Sequence, residues 1–296
     1  MTARRSRVAA GTAALLALAL AGCGSGDEPG AGGGSDGDRI VLTPAKDGGK
    51  GVTPVGNPVG DGTTAEVRGY RMTDVRLPAA GDGPGEVSFR ILDKGGRPLT
   101  TYTEEQTKLL HLYVVRDDLA EFRHLHPVLG DDGTWRGQVD LGAPGRWRVV
   151  AEFIPQGSKV PLVLGTTLTV PGAWEPVGVP RGPSAETGDD GVVKVRLLGP
   201  GEVSTNGRLR LSVTTENDDP VTLGSYLGAT AHLTGFAIGT RGFVHVHPYG
   251  APETQKDGTV LTFHTVFTEP GDYRMFVQVR VDGLLHQLAV TVPVTG

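Results

Sequence analysis

The sequence predicts an all-β fold built as two tandem β-sandwich domains. Three observations predict it. Short stretches of apolar alternation with a period of two recur along the chain, as strands require. Turn signals separate them at sandwich spacing, among them Asp131-Asp132-Gly133, Pro144-Gly145, Gly199-Pro200-Gly201, Pro270-Gly271-Asp272 and Asp282-Gly283. No segment carries a sustained helical period with caps. The 46 glycines and 21 prolines among 296 residues fit strands joined by tight turns.

Residues 1–22 read as a targeting segment. Arg4, Arg5 and Arg7 are basic, and Val8–Leu20 is apolar but too short and wrongly flanked to span a membrane. The segment ends in Leu20-Ala21-Gly22-Cys23, and Cys23 is the sole cysteine. This resembles the lipobox of bacterial lipoproteins. The resemblance implies cleavage before Cys23, its lipidation, and anchoring at the outer face of the cytoplasmic membrane. The Arg pair hints at twin-arginine export, but Ser6-Arg7-Val8 departs from that motif, so the export route stays open. With Cys23 lipidated no thiol remains for disulfides.

Residues 23–62 hold a Gly-rich tether and an expected edge strand at 39–43. Residues 24–38 are Gly, Ser, Asp, Glu, Pro and Ala only, a flexible chain with a reach of about 20 Å. Gly33–Gly37 matches Gly-x-Ser-x-Gly, but no strand or helix flanks it, so the match carries no hydrolase chemistry.

Alternation then appears over 86–92, 109–115, 135–141, 146–153 and 162–170. It resumes over 192–198, 209–215, 229–238, 243–247, 261–267, 273–281 and 284–292. A Pro- and Gly-rich stretch separates the two groups. The expected domains are therefore 63–172 and 190–296, with 173–189 as a linker. Pro144-Gly145-Arg146-Trp147 in the first matches Pro270-Gly271-Asp272-Tyr273 in the second. A Pro-Gly turn that feeds an aromatic into a strand suits the aromatic corner of immunoglobulin-like sandwiches.

The histidines repeat too. His111, His124 and His126 recur as His232, His245 and His247, each set ending in His-x-His-Pro. Six of the chain's eight histidines lie in this pattern. If 111–115 and 122–126 pair as a hairpin, His111 faces His126 and Tyr113 faces His124. The second copy would pair His232 with His247 and Thr234 with His245. Each set would gather three imidazoles on one face, with Leu112, Val114 and Leu125 on the other. Three imidazoles can hold a metal ion and leave one position open. Without thiols, and with only Met72 and Met275 as thioethers in the mature chain, an all-nitrogen site suits Cu(II) or Zn(II). Asp117, Asp118 and Glu121 have no counterparts in the second copy and are expected to solvate a loop.

Cleavage at Cys23 would leave 25 basic against 33 acidic residues, which argues against a nucleic-acid partner. No nucleophile stands with a base, no phosphate-cradling loop follows a strand, and no carboxylate pair stands out, so no enzyme is expected.

The stretch His111-Leu112-Tyr113-Val114-Val115-Arg116-Asp117, with Phe122-Arg123-His124-Leu125-His126-Pro127 and Asp132-Gly133-Thr134-Trp135, resembles the YtkA-like and heavy-metal-associated extracytoplasmic domains. That resemblance covers roughly 86–170 and, more loosely, 209–292. It implies an immunoglobulin-like fold, an extracytoplasmic location and a link to copper. Phe243-Val244-His245-Val246-His247 also resembles the copper strand of copper–zinc superoxide dismutase, but no zinc-loop His and Asp series follows. Two readings remain. One is a lipid-anchored protein that binds a divalent metal through duplicated three-His clusters. The other is an envelope adhesion or scaffold module whose histidines are structural and whose protein partner is unknown.

Overall fold

The computed structural model describes residues 57–296, apart from Leu227 and His245. The expected signal peptide, Cys23, the tether and the edge strand at 39–43 lie outside the described residues. Those that are described form an all-β structure with one 3-10 turn at Pro183–Glu186 and no α-helix among them.

The first sandwich contains β1 (Glu66–Val67), β2 (Tyr70–Arg76), β3 (Gly85–Leu92), β4 (Tyr102–Thr103), β5 (Leu110–Arg116), β6 (Phe122–Leu125), β7 (Val128–Leu129), β8 (Thr134–Val139), β9 (Gly145–Pro155) and β10 (Leu162–Val170). One sheet runs β1-β2-β3-β8-β7 and the other β10-β9-β5-β6, with β4 on β9. The second sandwich contains β11 (Thr187–Asp189), β12 (Val193–Leu197), β13 (Gly201–Glu202), β14 (Ser204–Thr215), β15 (Leu223–Gly224), β16 (Ala231–Ala237), β17 (Phe243–Val244), β18 (Val246–Pro248), β19 (Glu253–Gln255), β20 (Gly258–Phe267), β21 (Gly271–Val281) and β22 (Leu284–Thr295). Its sheets run β11-β12-β14-β20-β18, with β19 on β20, and β13-β22-β21-β16-β17, with β15 on β21. Residues 187–189, expected in the linker, instead pair with β12 and extend a sheet edge.

Each sandwich has its own core. Val87, Phe89, Trp135 and Trp147 centre the first, and Leu211, Phe263, Met275 and Val290 the second. The aromatic corner occurs in both. Trp147 Nε1–H donates to the Ala143 carbonyl (3.2 Å), and Tyr273 O–H donates to the Glu269 carbonyl (2.8 Å). In each case the acceptor lies four residues upstream, across the Pro-Gly turn.

A third apolar cluster lies between the sandwiches. Tyr113, Val115, Leu119, Phe122, Val150 and Val163 meet Phe236, Ile238, Phe243 and Phe276. Phe122 stacks on Phe276 with ring centroids 4.3 Å apart and planes at 8°. Every residue of β5 is therefore buried. Leu110, Leu112 and Val114 point into the first core, and the alternate residues His111, Tyr113 and Val115 take the other face by the period of two. The connector straps the junction. Val177 N–H donates to Asp118 Oδ2 (3.0 Å), and Thr291 O–H donates to the Pro180 carbonyl (2.7 Å).

Two outcomes check this packing. Phe122→Ala should lower stability by about 3–5 kcal/mol, because it leaves a cavity against Phe276 and Phe236. Tyr273→Phe keeps the ring and removes one hydrogen bond, so it should cost about 1 kcal/mol. Urea unfolding of both variants reads the difference, and equal losses would contradict this account.

Candidate metal centre

The first hairpin has the register that the sequence predicts. Tyr113 pairs with His124 and Val115 with Phe122 across β5 and β6. Continuing that register brings His126 opposite His111. Nitrogens of His111, His124 and His126, one from each ring, all lie within 4.8 Å of one another. His111 Nδ1 is 3.1 Å from His124 Nε2 and 3.2 Å from His126 Nε2. Nitrogens held at 2.0–2.1 Å around a tetrahedral ion are about 3.3 Å apart. The spacing fits that figure.

The outer nitrogens fix which ring atoms face inward. His111 Nε2 lies 3.1 Å from the Glu105 carbonyl, which can only accept, so Nε2 carries the proton and Nδ1 the lone pair. His124 Nδ1 lies 2.8 Å from Gln278 Oε1. The Gln278 amide is oriented by a chain that ends on another carbonyl. Gln278 Nε2–H donates to Gln287 Oε1 (3.1 Å), and Gln287 Nε2–H donates to the Phe122 carbonyl (3.1 Å). Nδ1 of His124 therefore carries its proton, and Nε2 keeps the lone pair. In the neutral rings, two acceptor nitrogens face each other at 3.1 Å. A cation between them turns that repulsion into attraction.

A tight hairpin delivers the Glu105 carbonyl. Glu105 and Lys108 exchange both backbone hydrogen bonds (2.8 and 3.0 Å) around Gln106 and Thr107. Both central residues have positive φ, 47° and 67°, which a two-residue turn of this hand requires. A β-branched Thr there is strained. The second sandwich repeats the device. Tyr226 and Ala229 exchange backbone hydrogen bonds, and His232 Nε2–H donates to the Tyr226 carbonyl (2.9 Å). His111 and His232 thus each anchor on a carbonyl six residues upstream.

The second expected set is not gathered in the same way. Phe236 pairs with Phe243 and Gly235 with Val244, as read from sequence. The chain then moves to the other sheet, where Val246 pairs with Thr265 and His247 with His264. His247 therefore is not the register partner of His232, and His245 lies outside the described residues. Instead His232 sits beside the first set, its ring 5.8 Å from that of His124. His247 meets the first sandwich, with Nδ1 3.4 Å from Gln106 Nε2 and Nε2 3.9 Å from Glu105 Oε1.

Burial keeps His124, His126 and His232 neutral. It pushes the His124 imidazolium well below the usual range, helped by the neighbouring His111 and His126 rings. Burial first, then His111 and Lys108, lowers His126 to about 3. Burial lowers His232 to about 4. Neutral rings present lone pairs with no proton to displace.

Some functional neighbours were not read from sequence. Gln278, Gln287, Glu105 and Glu152 surround the site. Gln278 and Glu152 are polar residues inside apolar strands, 4% and 3% exposed, and that interruption was the available signal. Tyr113 O–H donates to Glu152 Oε2 (3.2 Å). A cavity of about 20 Å³ lies between the sandwiches, lined by Glu105, Glu152, His111, Tyr113, His232 and Thr234 among others. Asp118 does not solvate a loop as expected: it is buried against Arg116 at 2.9 Å. Met72 and Met275 are buried in the two cores and contribute no thioether. His286 is held by Asp190 at 2.7 Å.

A protein family described as a domain of unknown function (DUF8832) matches residues 185–296, which hold the second sandwich. No curated protein matches the chain. Among solved structures it is similar to invasin, a bacterial integrin-binding protein, at 14% identity over 77% of this chain and 39% of that one (TM-score 0.21). It is also similar to InvD of Yersinia pseudotuberculosis, at 12% identity over 76% of this chain and 56% of that one (TM-score 0.21). The titin fragment A168169 matches at 10% identity over 77% of this chain and 99% of that one (TM-score 0.20). The chain thus spans about two fifths and just over half of the first two. Similarity at this level adds nothing to the site, and the fold rests on the strand pairings above.

Acid should destabilise the ion-free protein in a defined window. An unfolded His takes its proton near pH 6.5, whereas folded His126 and His232 wait until about 3 and 4. Between these values the unfolded chain binds more protons. Stability should therefore be full above pH 6.5 and fall as pH drops toward 4. Urea midpoints at pH 7.5, 6 and 5 read this, with a flatter profile in His126→Gln. A midpoint independent of pH would refute it.

Proposed function

We propose that this protein is a surface-anchored lipoprotein that binds one divalent cation, Cu(II) or Zn(II), through His111 Nδ1, His124 Nε2 and His126 Nε2. The observation that carries the reading is the convergence of three ring nitrogens, 3.1 and 3.2 Å apart, with the outer nitrogens of His111 and His124 tied to acceptors. Metal-ligating histidines are held in this way by their other nitrogen. An all-imidazole donor set without thiolate or thioether suits these two ions, copper more tightly. Three protein ligands leave one position for water or an exchanging ligand, which suits capture or buffering of the ion. The convergence favours this reading over an adhesion or scaffold module, for which the rings need not meet. The lipobox resemblance at Cys23 supports anchoring outside the cytoplasmic membrane, and the YtkA-like resemblance supports a role in copper handling.

Titration of the mature chain with Cu(II) and with Zn(II) tests the site. His111→Ala, His124→Ala and His126→Ala should each weaken binding at least about tenfold, or 1.4 kcal/mol. His286→Gln should leave affinity unchanged. Wild-type affinity no tighter than that of the three variants would end the proposal. For the anchor, Cys23→Ser should move the protein from the membrane fraction to the medium. Retention on the membrane would refute lipidation at that residue.

A further inference from the structure

Three ligands come from the first sandwich, yet what holds His124 comes from the second. Gln278 lies on β21 and Gln287 on β22, and the two are direct cross-strand partners. Their amides form a closed circuit with β6: Phe122 carbonyl to Gln287, Gln287 to Gln278, Gln278 to His124. Phe122 and His124 are two residues apart on the same strand, so the circuit clips one edge of the first sandwich to a sheet of the second. Each amide has one permitted orientation, because the Phe122 carbonyl can only accept.

We infer that Gln278 and Gln287 are positioning residues of the cation site, so that the second sandwich sets the His124 tautomer and the site is complete only when the sandwiches are docked. This rests on the metal-binding reading above. Gln278 Oε1 accepts from Nδ1–H, which leaves Nε2 unprotonated and aimed at His111 Nδ1. With no acceptor at Nδ1, the ring can hold its proton on Nε2, where it donates to His111 Nδ1 and closes the site to an ion. Phe122 on Phe276, two residues away from His124, supplies the docking contact. By linkage, an ion that binds the docked form more tightly strengthens docking by the same factor.

The test uses the mature chain, with Zn(II) as the probe. Long-range nitrogen–proton NMR of the ion-free protein reads the His124 tautomer directly. Wild type should show Nδ1–H. Gln278→Leu should shift population to Nε2–H and weaken Zn(II) binding 10–100-fold, the range for residues that orient a ligand. Gln278→Glu still offers an oxygen to Nδ1–H and should restore both. A Gln278→Leu variant that keeps Nδ1–H and wild-type affinity overturns the inference while metal binding stands. A wild-type chain that binds no Zn(II) or Cu(II) sinks the proposed function instead, and the tautomer measurement then decides whether Gln278 positions His124.

Discussion

The face-to-face contact between two sheets, one from each sandwich, is what the candidate site depends on. A sandwich alone leaves the outer face of each sheet in water, where the burial that lowers His124 and His232 would be absent. Packing the β10-β9-β5-β6 sheet against the β22-β21-β16 face removes that water. The Phe122–Phe276 stack and the Tyr113–Phe243 ring contact (centroids 5.0 Å apart) seal the contact. The same packing that buries His124 and His126 holds them at fixed distance from His111. Apolar packing and the gathering of three imidazoles are thus two results of one interface.

That interface was legible in part. A sheet face that meets water reads as alternation, and one that is covered reads as a continuous apolar run. Leu112-Tyr113-Val114-Val115 and Val149-Val150-Ala151 are such runs. They mark strands covered on both sides, a feature that alternation alone does not separate from an ordinary core strand. By contrast, β2 hides from pattern reading because only Met72 of its seven residues is buried. Its place in the sheet comes from pairing with β3.

The two copies of the histidine pattern diverge at one point. Both hairpins begin with the predicted register. In the first, β6 stays on β5 through Leu125, and the chain crosses to the other sheet at Val128. In the second, the crossing comes at Val246, the counterpart of Leu125. Identity of residues does not encode which sheet a strand joins, since both sheets of a sandwich offer the same backbone groups. A His-x-His-Pro repeat therefore marks a duplicated segment and leaves the number of gathered clusters to the pairing.

The lone-pair geometry is where the proposed cation site differs from a purely structural set of histidines. A structural histidine is satisfied when one ring nitrogen donates and the other accepts from a donor. His111 and His124 each donate outward, to the Glu105 carbonyl and to Gln278, and then turn acceptors toward each other at 3.1 Å. His126 can donate one proton to His111 Nδ1, at 3.2 Å, which satisfies that atom and leaves His124 Nε2 beside it. Protonating a ring would also resolve the contact, but burial and the adjacent rings disfavour the imidazolium at His124 and His126. A cation that accepts several lone pairs at once would also resolve it, and that is the ligand the proposed function assigns to these nitrogens. The strained Gln106–Thr107 turn presents the Glu105 carbonyl to His111 and so fixes which nitrogen of that ring faces inward. The fold accepts that strain where it sets the ring, and it does so on the side of the molecule where the nitrogens meet.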